Sequence, residues 1–348
     1  MYIRRNTAVK YCLVIALGAI LYAEVIVYYI QAFQWQNLEC QVGDKTCTKI
    51  LFIADPQIQG ELAERPPLSY LFNWDSDRFV QMTFSRAVRH FEPEVLVYLG
   101  DLMDEGSIAD TDQYSRYTKR LSHIFDNIPY PVHQIWVPGD NDIGGENEPI
   151  KWDKVGLFYR VFAQPPIVAV KDISFYRINA ITHEYPKLPE NETDDNFKIA
   201  VSHYPLLIRH AFLAEVNKHI TDLDIYFCAH DHESKYTTQT QRFEQNNIHQ
   251  FYGNEILDIA FGADVYEIYV PTCSYRMGTN KIGYGAAVLD YNNTRLRYTV
   301  FWSPQRFLYL FGYLVLLVPG IAYAAACIVK LFCQWYCRST ILPMYSKL

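Results

Sequence analysis

The stretch KILFIADPQ (Lys49–Gln57) sets the reading of this chain. Five apolar residues run without a break from Ile50 to Ala54 and stop on a carboxylate, Asp55. A short apolar run that ends near a polar residue reads as a buried strand. The same design returns in EVLVYLGD (Glu94–Asp101), HQIWVPGD (His133–Asp140), FYRINAI (Phe175–Ile181), KIAVSHY (Lys198–Tyr204) and DIYFCAHDH (Asp224–His232). Between these runs the period changes. Asp77–Phe91 carries Phe79, Val80, Met82, Phe84, Ala87, Val88 and Phe91 at helical spacing. Asp112–Ile128 does the same with Tyr114, Tyr117, Leu121, Ile124, Phe125 and Ile128, and Trp152–Phe162 reads as a third helix. Residues 184–196 are charged and contain proline, which predicts an exposed loop. After Asp258 the chain returns to strand patterns in VYEIYVPT, YGAAVLD and LRYTVFW. Helices between buried strands predict a layered α/β domain.

The strand ends share one chemical feature. Asp55 and Gln57 follow the first strand and Asp101 the second. Asp140, Asn141 and Asp142 follow the third, His203 follows IAVS, and His230, Asp231 and His232 follow YFCA. Loops at the carboxyl ends of strands form the ligand crevice of open α/β sheets. Five such loops predict oxygen and imidazole donors converging on one point. The set D-P-Q, G-D-x-x-D-E-G, G-D-N-D-I-G, S-H-Y-P-L and H-D-H resembles the calcineurin-like metallophosphoesterase superfamily, whose usual pattern is D-x-H, G-D, G-N-H-D, H and G-H-x-H. The likeness covers about residues 49–302. Within that superfamily the chain resembles the membrane-anchored GPI-glycan ethanolamine-phosphate phosphodiesterases. That group has the same G-D-x-x-D-E-G and D-I-G extensions and a helix like KVGLFYRVFA. It also has an H-Y-P-L stretch, a segment like Ser274-Tyr275-Arg276, and terminal membrane spans.

The resemblance implies a four-layer αββα sandwich and two divalent metal ions bridged by one aspartate. Asp55 and His232 would hold the first ion, with Gln57 where the family has a histidine. Asp101 would bridge, and Asp140, His203 and His230 would hold the second ion. Oxygen and imidazole donors without thiolate suit Mn, Zn or Fe, and an amide oxygen at Gln57 favours Mn. Two such ions, about 3.5–4 Å apart, clamp phosphoryl oxygens and make hydroxide available near neutral pH. The sequence departs from the family at Gly139-Asp140-Asn141-Asp142. Asp140 stands for a neutral asparagine and adds a carboxylate. Asn141 stands for the histidine that protonates the leaving oxygen, and an amide shuttles no proton. General acid–base catalysis is worth roughly 10²–10⁴-fold. Asn141 and Asp142 remain the catalytic candidates at this loop, His183 is a candidate replacement acid, and Arg276 is a candidate phosphate or glycan ligand.

The two ends of the chain differ from its middle. Residues 11–33 and 307–329 are apolar runs long enough to cross about 30 Å of hydrocarbon. Glu24 interrupts the first, and Pro319 with Gly320 would kink the second. Arg4, Arg5 and Lys10 precede the first run, and Lys330, Arg338 and Lys347 follow the second. The positive-inside rule then leaves residues 1–10 and 330–348 as cytoplasmic tails and residues 34–306 as a luminal domain. Asn191 and Asn292 head N-x-S/T sequons in that domain. Cys40 and Cys47 either close a small loop or stay as free thiols. Cys333 and Cys337 are juxtamembrane, and Lys347, the penultimate residue, leaves no dilysine retrieval pattern. A net charge of −7 argues against a broad nucleic-acid face. Together these features predict a multi-pass protein of the ER, ER–Golgi intermediate or Golgi membrane. Its partners would be GPI-anchored proteins or another phosphorylated glycan, and membrane lipid. The activity expected is metal-dependent phosphodiester hydrolysis. The alternative is a weak or inactive metal-binding module that recognises GPI-anchored cargo during ER-to-Golgi transport.

Overall fold

A computed structural model describes residues 2–345 except 42, 45, 63–66, 189–193, 241–246 and 263; for 2–9, 240, 319 and 337–345 it describes the backbone alone. Asn191 and Lys347 lie outside the described residues. In chain order the helices are α1 (Tyr2–Leu21), followed by a π-helical turn at Tyr22–Ile26, α2 (Val27–Phe33), α3 (Leu68–Phe91), α4 (Thr111–Phe125), α5 (Asp140–Ile143), α6 (Trp152–Val161), α7 (His210–Val216) and α8 (Arg306–Tyr345). The strands are β1 (Thr48–Ile53), β2 (Val95–Tyr98), β3 (His133–Trp136), β4 (Ile167–Val170), β5 (Ile173–Arg177), β6 (Phe197–Val201), β7 (Ile225–Cys228), β8 (Lys235–Thr240), β9 (Asn247–Gln250), β10 (Leu257–Ala260), β11 (Asp264–Tyr269), β12 (Gly283–Asp290) and β13 (Arg295–Trp302). The chain divides into two units, Val27–Pro304 and the terminal helices Met1–Ile26 with Gln305–Leu348.

The larger unit holds two sheets, ordered β10-β13-β12-β1-β2-β3 and β4-β5-β6-β7-β11-β8-β9. One buried core lies between them, with Ile50, Phe52 and Val97 from the first and Phe175, Val201 and Phe227 from the second. Phe52 and Phe227 stack across it with ring centroids 3.9 Å apart. The strands that carry the motif residues run parallel: β1 with β2, β2 with β3, β5 with β6, and β6 with β7. Their carboxyl ends therefore fall along one edge of each sheet, which is where a crevice forms. Outside the first sheet, α3 and α4 pack on each other and on β12 and β2 through Phe84, Phe125, Tyr98 and Tyr284. On the outer face of the second sheet Glu267 is fully buried, because the segment leading to α7 covers it and donates the Leu206 and Leu207 backbone N–H groups to its carboxylate.

Local signals explain most boundaries. Asp110 caps α4 by accepting from Gln113 N at 2.8 Å while Gln113 returns a bond to Asp110 N. Glu92 ends α3 in the left-handed conformation. Helix α3 starts at Leu68, well before the expected Asp77. Its first turns carry apolar residues on the outward side as well, which erases the amphipathic period there. Cys40 and Cys47 are joined as a disulfide.

Two helices are long and apolar enough to be candidate membrane spans, Lys10–Phe33 and Arg306–Tyr336. Glu24 does not stand alone in the first. Its Oε1 accepts from the Tyr313 hydroxyl at 2.5 Å and pairs with Arg306 Nη1 at 2.9 Å. Were this helix to cross a bilayer, such pairing would offset part of the roughly 2.5–3.5 kcal/mol that a lone carboxylate costs at its centre. Helix α8 continues through Pro319 and Gly320 to Tyr345.

Candidate metal centre

The strand-end residues meet as two groups of donors. Asp140, His203 and His230 form one group, and Asp55, Asp101 and His232 the other, with donor atoms inside each group within 4.8 Å of one another. His203 joins them: its Nε2 lies 3.0 Å from Asp140 Oδ1 and 3.5 Å from Asp101 Oδ1. Its Nδ1 lies 2.8 Å from the Leu99 carbonyl. Donating there keeps the Nδ1 proton in place and points Nε2, which here hydrogen-bonds Asp140, at the centre, the usual orientation of a metal-bound histidine. His230 Nδ1 is 3.2 Å from Asp140 Oδ1, and His232 Nε2 is 3.8 Å from Asp55 Oδ1.

The backbone is strained to achieve this. Asp55, Gln57, Asp101, His230 and His232 all have positive φ, between 40° and 70°. Non-glycine residues rarely adopt that region, and such strain collects at functional sites. Two glycines let the β2 and β3 loops cross. A Cβ on Gly100, which has φ of 93°, would lie 2.7 Å from Gly139 N, and a Cβ on Gly139 would overlap Asp101 N and Oδ1.

Charge and burial give the test of whether cations fit. Asp55 is fully buried and neither carboxylate oxygen has a hydrogen-bond partner. Burial raises the Asp55 and Asp101 carboxyls above their usual range, against the pull of His203. Burial also works to raise Asp140, but hydrogen bonds from His203 and His230 overcome it and hold that carboxyl well below its usual range. Three carboxylates around neutral-ligand histidines, one of them with orphaned oxygens, form a donor set that divalent cations satisfy.

The calcineurin-like phosphoesterase family matches residues 48–234, a stretch that includes every one of these donors. The chain belongs to that family. Metallophosphoesterase 1 of Pongo abelii is 27% identical over 175 residues, 48% of this chain and 43% of that protein. The Metallophosphoesterase 1 homolog of Drosophila melanogaster is 27% identical over 135 residues, 38% of this chain and 35% of that protein. The match thus spans less than half the length of these relatives. A solved metallophosphoesterase from Sphaerobacter thermophilus is 15% identical, covers 73% of this chain and 88% of its own, and has a TM-score of 0.36. Members of the family use a binuclear divalent metal site, and the two donor groups here are possible ligands for it.

Five further candidate residues of this calcineurin-like phosphoesterase make contacts of their own. Gln57 turns its amide nitrogen, not its oxygen, toward the centre: Nε2 donates to Asp101 Oδ2 at 3.0 Å and lies 3.2 Å from His232 Nε2. Between crowded acceptors a donor is the favoured face, and turning the amide over would present the oxygen. Asp142, a catalytic candidate, turns its carboxylate back onto the backbone. Its carboxylate accepts from Gly139 N at 2.9 Å, Leu102 N at 3.1 Å and Met103 N at 3.0 Å, which ties the β2 loop to the β3 loop. Asn141 is committed to Asp101, donating from N at 2.9 Å and from Nδ2 at 2.8 Å. His183 is exposed and sets its ring edge-on to Phe212, 5.0 Å between centroids. Arg276 is half-buried with its guanidinium 5.8 Å from the Phe72 ring centre, and its charge opposes the rise of the Asp104 carboxyl.

Two further neighbours of the centre are Tyr204, which follows His203 in its strand-end motif, and Glu146, which has no strand-end signal. Tyr204 packs its ring 4.4 Å from His230, and Glu146 Oε1 lies 3.7 Å from His230 Nε2. Beside Asn141 and Asp140 a cavity of about 80 Å³ is lined by Asp104, Glu146 and Glu148. Glu105, in the same D-E-G segment, is a structural hub that accepts from Glu61 N and Leu62 N and from the Tyr117 hydroxyl.

Proposed function

We propose that the chain is a binuclear-metal phosphodiesterase, with Mn preferred over Zn or Fe. In this reading it hydrolyses a phosphoester on a luminal lipid-linked glycan, ethanolamine phosphate on GPI anchors. The observation that carries the hydrolase reading is the junction of the two donor groups at His203, beside an Asp55 carboxylate with no other partner. When bound, a pair of divalent cations supplies Lewis-acid charge to the phosphoryl group and activates water. The protein's own residues do the rest. Asp55, Asp101, Asp140, His203, His230 and His232 are the proposed ligands, with Gln57 as a seventh once its amide turns. Asn141 holds the Asp101 carboxylate through two donors and so orients the proposed bridge.

The substrate class draws support from the small acidic cavity lined by Asp104, Glu146 and Glu148, which favours a compact cation such as the ammonium of ethanolamine. The luminal placement draws support from the two apolar terminal helices, the flanking basic residues, the Cys40–Cys47 disulfide and the exposed Asn292 sequon. GPI-anchored proteins, another phosphorylated glycan and membrane lipid are the corresponding partners.

Asn141 favours a second reading. Two of its N–H groups bind Asp101, and an amide has no proton to give the leaving oxygen. The chain would then be a metal-binding module that recognises GPI-anchored cargo in ER-to-Golgi transport. The detergent-solubilised chain with Mn and bis-p-nitrophenyl phosphate separates the two. Hydrolysis that Asp101→Asn lowers at least about 1,000-fold supports the enzyme. Two bound metal ions and affinity for ethanolamine-phosphate glycan, without product, support the module.

A further inference from the structure

The outward face of α3 changes character along its length. Its first turns expose Leu68 by 60%, Tyr70 by 68%, Leu71 by 57% and Trp74 by 58%. Its later turns carry Arg78, half-buried, and Arg89, exposed. The inward face is uniformly buried through Ser69, Asp75, Ser76, Phe79, Val80 and Thr83. A soluble helix has no reason to concentrate leucine and aromatic side chains on its outward face at one end. Aromatic and leucine residues followed by arginine are what the boundary between hydrocarbon and lipid headgroups selects.

The neighbouring helix says which way this end faces. Tyr28 packs its ring on Phe79, 6.0 Å between centroids, Arg86 lies 3.7 Å over the Tyr29 ring, and Trp35 meets His90 at 5.4 Å. Helix α2 therefore runs alongside α3 in the same direction. The chain reaches α2 from the side of the α3 amino terminus, and what precedes α2 in sequence is the apolar run that begins near residue 11.

We propose that Leu68, Tyr70, Leu71 and Trp74 dock the globular unit onto the lipid bilayer. This rests on the reading of the terminal runs as membrane spans. Docking also orients the metal centre. Asp75 accepts from the Tyr275 hydroxyl at 2.7 Å, and the loop holding Tyr275 bonds the Asp55 segment through Thr272 Oγ1 to Asp55 O at 2.8 Å. The helix that touches lipid is thereby tied to the loop that shapes the centre, and a membrane-borne phosphoester is held at a fixed height from it.

The test uses the full chain reconstituted in phosphatidylcholine vesicles, with lipid brominated along the acyl chain as the quencher. The difference in fluorescence between the wild-type chain and Trp74→Phe isolates Trp74. Bromolipid should quench that difference signal by about half or more, and aqueous iodide should leave it nearly unchanged. Quenching by iodide without quenching by bromolipid overturns the docking. So does protection of Trp74 that disappears on dilution of protein into more lipid, since a second copy would then cover the patch. Alkaline carbonate extraction separates the two layers of the claim. A chain that carbonate strips from the vesicles contradicts the spanning reading, whereas a retained chain with an unquenched Trp74 contradicts the docking alone.

Discussion

Asp55 and Asp142 are the same residue type, and both are fully buried. One has three backbone N–H partners and the other has none. Burial raises both carboxyls. Asp142 goes up to about 6 against the hydrogen bonds from Gly139, Leu102 and Met103, and Asp55 goes up against the attraction of His203, His232 and His230. A buried carboxylate needs compensation, and what compensates it decides its role. Asp142 is compensated by the fold and serves as a staple between two loops. Asp55 faces His203 and His232 at 3.9 and 3.8 Å and the acid Asp101, with no hydrogen bond to its carboxylate, and divalent cations are the ligands that such neighbours select. Burial alone would have classed the two together.

The strongest way to break this contrast is to strike the point where both depend on one residue. Gly139 N donates to Asp142, and the Gly139 Cα leaves no room for a Cβ against Asp101. Gly139→Ala should therefore displace the proposed bridge and loosen the staple together. Mn affinity, followed by equilibrium dialysis, is expected to fall by about 100-fold or more. An unchanged affinity would mean that the crossing of the β2 and β3 loops does not set the centre. Asp142→Ala comes next. It leaves three buried N–H groups without an acceptor, at about 1–3 kcal/mol each before relaxation. A net loss near 3 kcal/mol in denaturant unfolding is expected. A loss under about 0.5 kcal/mol would show that the staple is not needed.

These effects also mark what could be read from the sequence. The parallel strands and their terminal Asp and His residues were legible because each strand is a continuous apolar run that stops at the residue of interest. The roles of Asp142 and Gln57 were not, because a motif fixes where a side chain is attached and not which way it points. Asp142 turns back onto the backbone amides of Gly139, Leu102 and Met103. Strands β8 and β9 were missed since KYTTQT and NIHQ lack an apolar run; they are added at one border of the second sheet by pairing with β11. Glu146 comes near His230 only because the loop after α5 folds back, with Gly145 N donating to the Glu148 carbonyl at 2.8 Å. Nothing in the local pattern around Glu146 announces that return.

Asp55→Asn sharpens the comparison because its sign should be opposite to that of Asp142→Ala. In chelator the substitution removes an uncompensated buried acid and should raise stability by about 1 kcal/mol. With Mn present the order should invert, since a cation at 100 times its dissociation constant stabilises the wild-type chain by about 2.7 kcal/mol and the variant no longer holds it as well. Thermal melts of both chains with and without Mn check the crossover. If Asp55→Asn is destabilising in chelator, Asp55 has a structural partner and the contrast fails.

The smallest expected effect concerns Asp104, which lines the acidic cavity and lies outside both donor groups. Burial pushes its carboxyl from 3.8 up to about 6, Glu105 adds to the rise, and Arg276 opposes it. The folded state therefore binds a proton more tightly than the unfolded chain. Stability from this group is present on the acid side and is lost as pH rises through about 6. Because solvent reaches part of the side chain, the change should be no more than about 1 kcal/mol. Melts of the metal-free chain between pH 4 and 7 should show a downward slope that Asp104→Asn flattens. An upward slope of the same size, abolished by the same substitution, would mean that Arg276 governs Asp104, and the cavity would then keep that negative charge below pH 6 as well.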